Sequence, residues 1–226
     1  LGAMTDAERE AFRAEVRAYL IENPEVLMEA IAVLDQRQQQ AAVANDVTLA
    51  RNYQDAIMND GFSYVGGNPD GDITLVEFMD YRCGYCKRAL PEVGQLLQSD
   101  GNIRFIIKEL PILGEQSTLA AKFAVAVKQL HGDETYKGVH DALMAMRGDI
   151  TADSLAKLAE AYGLDITSIV DRMDAPEVTN VLAQTAQLAQ ALQISGTPTF
   201  VYEDQMVRGY IPLDQLQAIT EQVRTN

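Results

Sequence analysis

The sequence predicts an α/β chain in which one strand-helix-strand unit forms the heart of the fold and helical segments are added before and within it. Three observations lead there. Ile73–Met79 and Ile103–Lys108 are nearly continuous apolar runs of strand length flanking a stretch with apolar residues at helical spacing. Thr5 to about Asn59 contains no Gly and one Pro, with Phe12, Val16, Leu20, Leu27, Ile31 and Leu34 at the period of amphipathic helices. Near the end, Thr199–Tyr202 and Met206–Tyr210 are short strand-like runs separated by a turn at Glu203-Asp204-Gln205.

In order along the chain, a first helix ends at Asn23-Pro24, where Asn is a candidate N-cap and Pro a candidate first residue of the next helix. That second helix extends from Glu25 to near Asn59, about 50 Å at 1.5 Å per residue. Its apolar stripe is thin, which suits a stalk, an oligomerisation arm, a brace across the next domain or an ordinary solvent-facing helix. The period changes at Gly61. Phe62–Val65 alternates like a strand, Gly66–Asp72 is a turn cluster, and the two buried strands then enclose a helix ended by Asp100-Gly101. Short connections make this a βαβ unit with parallel strands. Gln116 to about Leu192 is helical and Ala-rich, broken at Gly132-Asp133, Gly148-Asp149 and Gly163-Leu164-Asp165. After the hairpin, Pro212 opens a final helix over Leu213–Val223. The pattern gives two domains: a helical arm at 1–60 and an α/β domain at 61–226 with a helical insertion at about 114–192.

Composition narrows the function. The 226 residues hold 18 Lys+Arg against 33 Asp+Glu, a net charge of −15, which disfavours nucleic acid or an anionic membrane as partner. No run approaches the roughly 18 apolar residues of a membrane span. The start, Leu1-Gly2-Ala3-Met4, lacks a signal-peptide pattern and does not begin with Met, as expected of a processed or recombinant form, which leaves an earlier targeting segment open.

Two cysteines are too few for a disulfide scaffold or a four-thiolate zinc site, and His131 and His140 have no ligand spacing to them. They sit as Cys83-Gly84-Tyr85-Cys86, between a buried strand and the first turn of a helix. There the first sulfur meets unpaired backbone N–H groups and the positive end of the helix dipole, which favour thiolate. Cys83 is the expected nucleophile and Cys86, one turn further in, the resolving thiol. Arg82, Lys87 and Arg88 flank the motif, with Asp80 as the one nearby opposing charge. Two-coordinate Cu(I) on the same two sulfurs is the alternative from a different class, since soft thiolates suit that ion.

Strand, CxxC at a helix start, strand, and a later Gly196-Thr197-Pro198 before a hairpin and closing helix resembles the thioredoxin fold. The helical insertion makes the chain similar to the DsbA family of bacterial thiol-disulfide oxidoreductases from Phe62 onward. The resemblance implies a cis Pro198 against the sulfurs and a Thr197 backbone that pairs with a bound substrate strand, with Gly84 and Tyr85 at the substrate surface. It also implies that Glu77, six residues before Cys83, and Lys108 lie below the buried cysteine and help move its proton. No cofactor or metal is implied. The partners implied are cysteine-containing proteins and an upstream redox protein, in a periplasmic or otherwise extracytoplasmic compartment.

The familiar strongly oxidising member has Pro-His between its cysteines. Gly84-Tyr85 lacks that imidazole, so a less oxidising couple is expected. Cys-Gly-Tyr-Cys with Thr before the cis proline is similar to DsbC-type isomerases, and the helical arm resembles that of proteins related to suppressor of copper sensitivity protein C, where it serves as a trimerisation stalk. The expected function is thus formation, reduction or isomerisation of disulfides in protein substrates through the Cys83-x-x-Cys86 pair; the insertion fits DsbA-like descent, while the dipeptide and the arm lean toward isomerase or reductase use and toward a homo-oligomer formed through the N-terminal helices.

Overall fold

The structure, a computed structural model, describes residues 4–225. The chain divides into two compact units, residues 1–45 and 46–226. In the first, α1 (Asp6–Glu22) starts at a capping box: Glu8 N–H donates to Thr5 Oγ1 (3.4 Å) and Thr5 N–H to Glu8 Oε2 (2.8 Å). It stops at Asn23, whose N–H bonds Tyr19 O, and α2 (Glu25–Asn52) begins after Pro24. Asn23 therefore closes the first helix rather than capping the second. Phe12, Val16, Leu27, Ile31 and Leu34 of this unit are all exposed.

The division falls inside α2 and not at the change of period near Gly61. Ala50 of α2 is fully buried, as is Ile57 of α3 (Gln54–Met58), and both join the core of the second unit. Arg208 also holds Asp46, and Arg51 holds Asp204, at 2.7 and 2.6 Å. Apolar spacing alone does not reveal these long-range partners.

The second unit is built on a five-stranded sheet in the order β1-β3-β2-β4-β5: β1 (Tyr64–Gly67), β2 (Ile73–Met79), β3 (Ile103–Glu109), β4 (Thr199–Tyr202) and β5 (Gln205–Arg208). β2 and β3 are parallel and every other pair antiparallel. α4 (Gly84–Asp100) makes the crossover and ends at Gly101, whose left-handed φ of 73° suits a residue without Cβ. The insertion supplies α5 (Glu115–Ala145), α6 (Ala152–Ala161), α7 (Ile166–Met173) and α8 (Pro176–Ala191); α5 breaks at Gly132, as the Gly-Asp pair there predicts. The hairpin turn contains two residues, Glu203 and Asp204, one fewer than expected. Glu203 adopts a φ of 49°, and its carboxylate accepts from Thr74 N–H (2.8 Å). The closing helix α9 (Leu213–Thr225) is tied down by Arg224, which holds Asp72 and Asp100, each at 2.9 Å.

Side-chain alternation gives the sheet two faces. Leu75 and Met79 of β2, Phe105 and Ile107 of β3, and Phe200 and Tyr202 of β4 share one buried cluster with Cys83, Cys86 and apolar residues of α4, α5 and α9. Val76, Phe78, Ile106 and Val201 point the other way, into a cluster with Ile57 and Met58 of α3 and Leu188 and Ala189 of α8. Which face a residue occupies decides whether it can reach the cysteines.

Candidate active site

β2 runs directly into the turn that carries the motif, because Asp80 halts the strand and anchors the turn after it. Its side chain is buried and accepts four hydrogen bonds: at Oδ1 from Arg82 N–H (2.7 Å) and Ser117 Oγ–H (2.8 Å), and at Oδ2 from Ile112 N–H (2.8 Å) and Leu113 N–H (3.0 Å). Its carbonyl accepts from Cys83 N–H (3.1 Å). One carboxylate thus joins the cysteine turn, the loop after β3 and the start of α5. The sequence shows Asp80 only as a charge opposing its basic neighbours.

Cys83 is the N-cap of α4, and Cys86 N–H donates to its sulfur at 3.4 Å. The Cys83 thiol donates to Thr197 O (3.2 Å), and the Thr197–Pro198 peptide is cis. Both cysteines are free thiols; Cys83 is 6% exposed and Cys86 fully buried. Burial, reinforced by the nearby carboxylate of Glu77, pushes the Cys86 thiol well above the usual range, so it rests protonated. Gly84 and Tyr85 are exposed beside Cys83.

Glu77 lies on the cysteine face. It is buried, its Oε1 has no hydrogen-bond partner, and desolvation pushes its carboxyl up to about 8. Lys108 does not join it. In the parallel β2/β3 register Glu77 sits beside Ile107, so Lys108, one residue on, points to the opposite face. There its ammonium pairs with Asp60 and donates to Ala56 O (3.0 Å). The expectation of an acid and a lysine together beneath Cys86 is corrected to an acid alone, for a one-residue reason of strand parity.

The flanking cations also differ from expectation. Lys87 Nζ donates to Met146 O and Arg82 Nη1 to Gly148 O, both at 2.7 Å, so these side chains dock the α5–α6 connection. Beyond them lies a buried cluster that sequence reasoning missed. Glu109 Oε1 accepts from Tyr81 (2.7 Å) and Tyr136 (2.6 Å), and Tyr81 Oη lies 3.1 Å from His140 Nδ1. Burial pushes Glu109 up to about 7 and His140 down to about 3. The one signal of it in the sequence is Glu109, an acid that follows Lys108 at the end of a mostly apolar strand.

These shifts fix a pH dependence. Glu77 and Glu109 keep their protons to higher pH in the fold than in the unfolded chain, so folding stability falls as pH rises from about 4.5 to about 8. His140 stays neutral in the fold, so stability also falls as pH drops from about 6.5 toward 3. Glu77→Gln is therefore expected to raise the urea midpoint at about pH 9 by the equivalent of a few kcal/mol and to change it much less at about pH 5. An equal effect at both pH values would contradict the assignment.

Comparison with known proteins places this geometry in context. Residues 74–220 match the DSBA-like thioredoxin domain, and residues 8–41 match the copper resistance protein ScsC N-terminal domain. A solved thioredoxin-like oxidoreductase from Silicibacter pomeroyi is 43% identical, with a TM-score of 0.72, and the match covers 76% of this chain and 98% of that one. Salmonella enterica Typhimurium BcfH is 29% identical, with a TM-score of 0.82 and 96% of each chain covered. Among curated relatives, Na(+)/H(+) antiporter NhaA 1 of Salinispora arenicola is 28% identical over 156 residues, 69% of this chain. The chain spans about a quarter, 24%, of that protein's length.

Proposed function

The chain belongs to the DSBA-like thioredoxin domain family, a family of thiol-disulfide oxidoreductases, and from that membership and the dithiol geometry we propose that it reduces or isomerises disulfides of protein substrates. One observation supports this above the others: Cys83 is the helix-capping, outward sulfur beside cis-Pro198, with Cys86 buried one turn below it. Cys83 thiolate attacks a substrate disulfide, forming a mixed disulfide and releasing one substrate thiolate. Cys86 then attacks Cys83 Sγ, forming the Cys83–Cys86 disulfide and releasing the second substrate thiolate. Where the substrate rearranges first, its own thiolate displaces Cys83 instead.

For the resolving step Cys86 must lose its proton inside an apolar interior. Glu77 is the group suited to take it once its own carboxyl, pushed up to about 8, is ionised, since it shares that interior. Lys108, across the sheet, takes no part. Thr197 O leaves Cys83 when the sulfur attacks, which frees it and the neighbouring backbone to pair with the substrate strand.

Cu(I) bridged by the two sulfurs is not favoured: the match over residues 74–220 is to the DSBA-like thioredoxin domain, and the dithiol at a helix start beside a cis proline is an arrangement for thiol-disulfide exchange. The compartment we propose is extracytoplasmic, where disulfides persist. Among the described residues no helix is long and apolar enough to cross a membrane. The exposed apolar row of residues 4–45 and their match to the ScsC N-terminal domain support self-association through that segment. Sedimentation equilibrium should then report a species larger than the 24.8 kDa monomer, and a monomer at all concentrations would remove this part.

The reduction potential of the Cys83/Cys86 couple against glutathione buffers tests the direction. Without an imidazole between the cysteines it should lie well below the roughly −120 mV of the strongly oxidising DsbA, near or below about −180 mV. A value at or above about −120 mV would mark an oxidase instead.

A further inference from the structure

Cys83 is bordered on one side by a surface built from three elements. Tyr85, 62% exposed, stacks against Tyr210 with ring centroids 6.3 Å apart and planes 29° from parallel. Tyr210 lies between β5 and α9, and the loop holding it is fixed to the cis-proline loop by Gly209 N–H donating to Pro198 O (2.9 Å). Its hydroxyl donates to Glu92 Oε1 (2.6 Å), and the Arg88 guanidinium sits 4.4 Å from its ring centroid. The ring is thus held at both ends, which fixes the place of Arg88 on α4, five residues after the Cys83 cap.

The charge of this surface is uncommon for the molecule. Arg88 is exposed and, among the described residues, makes no ion pair. Lys87 is bonded to a carbonyl, which leaves its charge uncompensated, and Arg82 has only Asp149, at 3.9 Å. Of the carboxylates close by, Asp80 is buried beneath the surface with four neutral donors, and Glu92 accepts from Tyr210 at Oε1 while its Oε2 is buried without a hydrogen-bond partner; neither forms an ion pair with Arg88. In a chain of net charge −15, the charged side chains of the motif and its flanks that reach solvent are thus the cations Arg82, Lys87 and Arg88, with Asp80 buried among them. An acidic segment is repelled by most of the surface and attracted there, while a basic segment meets the reverse.

We propose that the Arg88–Tyr210–Tyr85 surface is a substrate-selecting site that takes an acidic side chain flanking the cysteine of the substrate, its stem lying on the tyrosine rings and its carboxylate on Arg88. This rests on the reading that Cys83 exchanges with peptide disulfides. The exchange is balanced as above: a peptide homodimer disulfide is reduced to two thiols while Cys83 and Cys86 are oxidised to their disulfide.

The test uses the full, reduced chain and two peptide homodimer disulfides that differ only in Glu or Lys residues beside the cysteine. Each rate is divided by that peptide's rate with an uncharged small thiol, 2-mercaptoethanol, to remove the intrinsic reactivity of the disulfide. At low ionic strength the Glu peptide should react about tenfold faster, and the ratio should fall as salt is added. Arg88→Glu should abolish or invert the preference, and Arg88→Lys should retain most of it. Equal normalised rates in the wild-type protein, or a faster Lys peptide, would overturn the proposal. No exchange with either peptide would instead overturn the reading of the dithiol on which it rests.

Discussion

Cys83→Ser is expected to abolish reduction of insulin and reactivation of scrambled ribonuclease, to within the rate of the uncatalysed reaction. A hydroxyl keeps the size and the capping position, since Ser is itself a good N-cap, so the fold should stay intact. What disappears is the sulfur that attacks, and nothing else in the described residues supplies one: Cys86 is fully buried and held protonated. Cys86→Ser should behave differently. Cys83 still attacks, but resolution through Cys86 is lost, so mixed disulfides should accumulate and turnover should depend on an external thiol. Circular dichroism of both variants separates lost chemistry from lost structure. Normal activity in Cys83→Ser would make the proposed mechanism wrong.

Asp80→Ala should have the largest effect on stability. Its carboxylate satisfies three backbone N–H groups and the Ser117 hydroxyl in a buried setting. Truncation leaves those donors without their acceptor and opens a void, for a loss on the order of 3–5 kcal/mol. Asp80→Asn should recover only part of this, because its amide N–H groups face donors where an acceptor is required. Urea unfolding near neutral pH measures both variants, and an unchanged midpoint in Asp80→Ala would refute the role. The same variant should lower exchange activity even where it is folded, since the Asp80 side chain sets the turn that presents Cys83.

The parts of this molecule that depend on neighbours in sequence are legible from the amino-acid order alone. The apolar runs at 73–79 and 103–108, the CxxC motif at a helix start and the Gly132 break are local patterns that fall where the pattern puts them, and the hairpin after Pro198 forms with a turn one residue shorter than the pattern predicts. The features that are not legible depend on contacts between distant segments. Asp80 gains its meaning only when residues 112, 113 and 117 converge on it. Glu109 and His140 are 31 positions apart and meet through Tyr81. Lys108 shows how narrow the margin is: its strand lies where the apolar run puts it, but its side chain faces Asp60 because parity in a strand reverses with each residue. The stretch from Asp46 onward reads as part of the arm for a similar reason, since only Arg208 and the sheet reveal that it belongs to the catalytic unit.

The division of labour between the two sulfurs is the central claim, and trapping tests it most directly. Cys86→Ser, incubated with a peptide disulfide and then digested, should yield a mixed disulfide at Cys83 by mass spectrometry. The reciprocal Cys83→Ser variant should yield almost none at Cys86 over the same time. Comparable trapping at Cys86 would contradict the account.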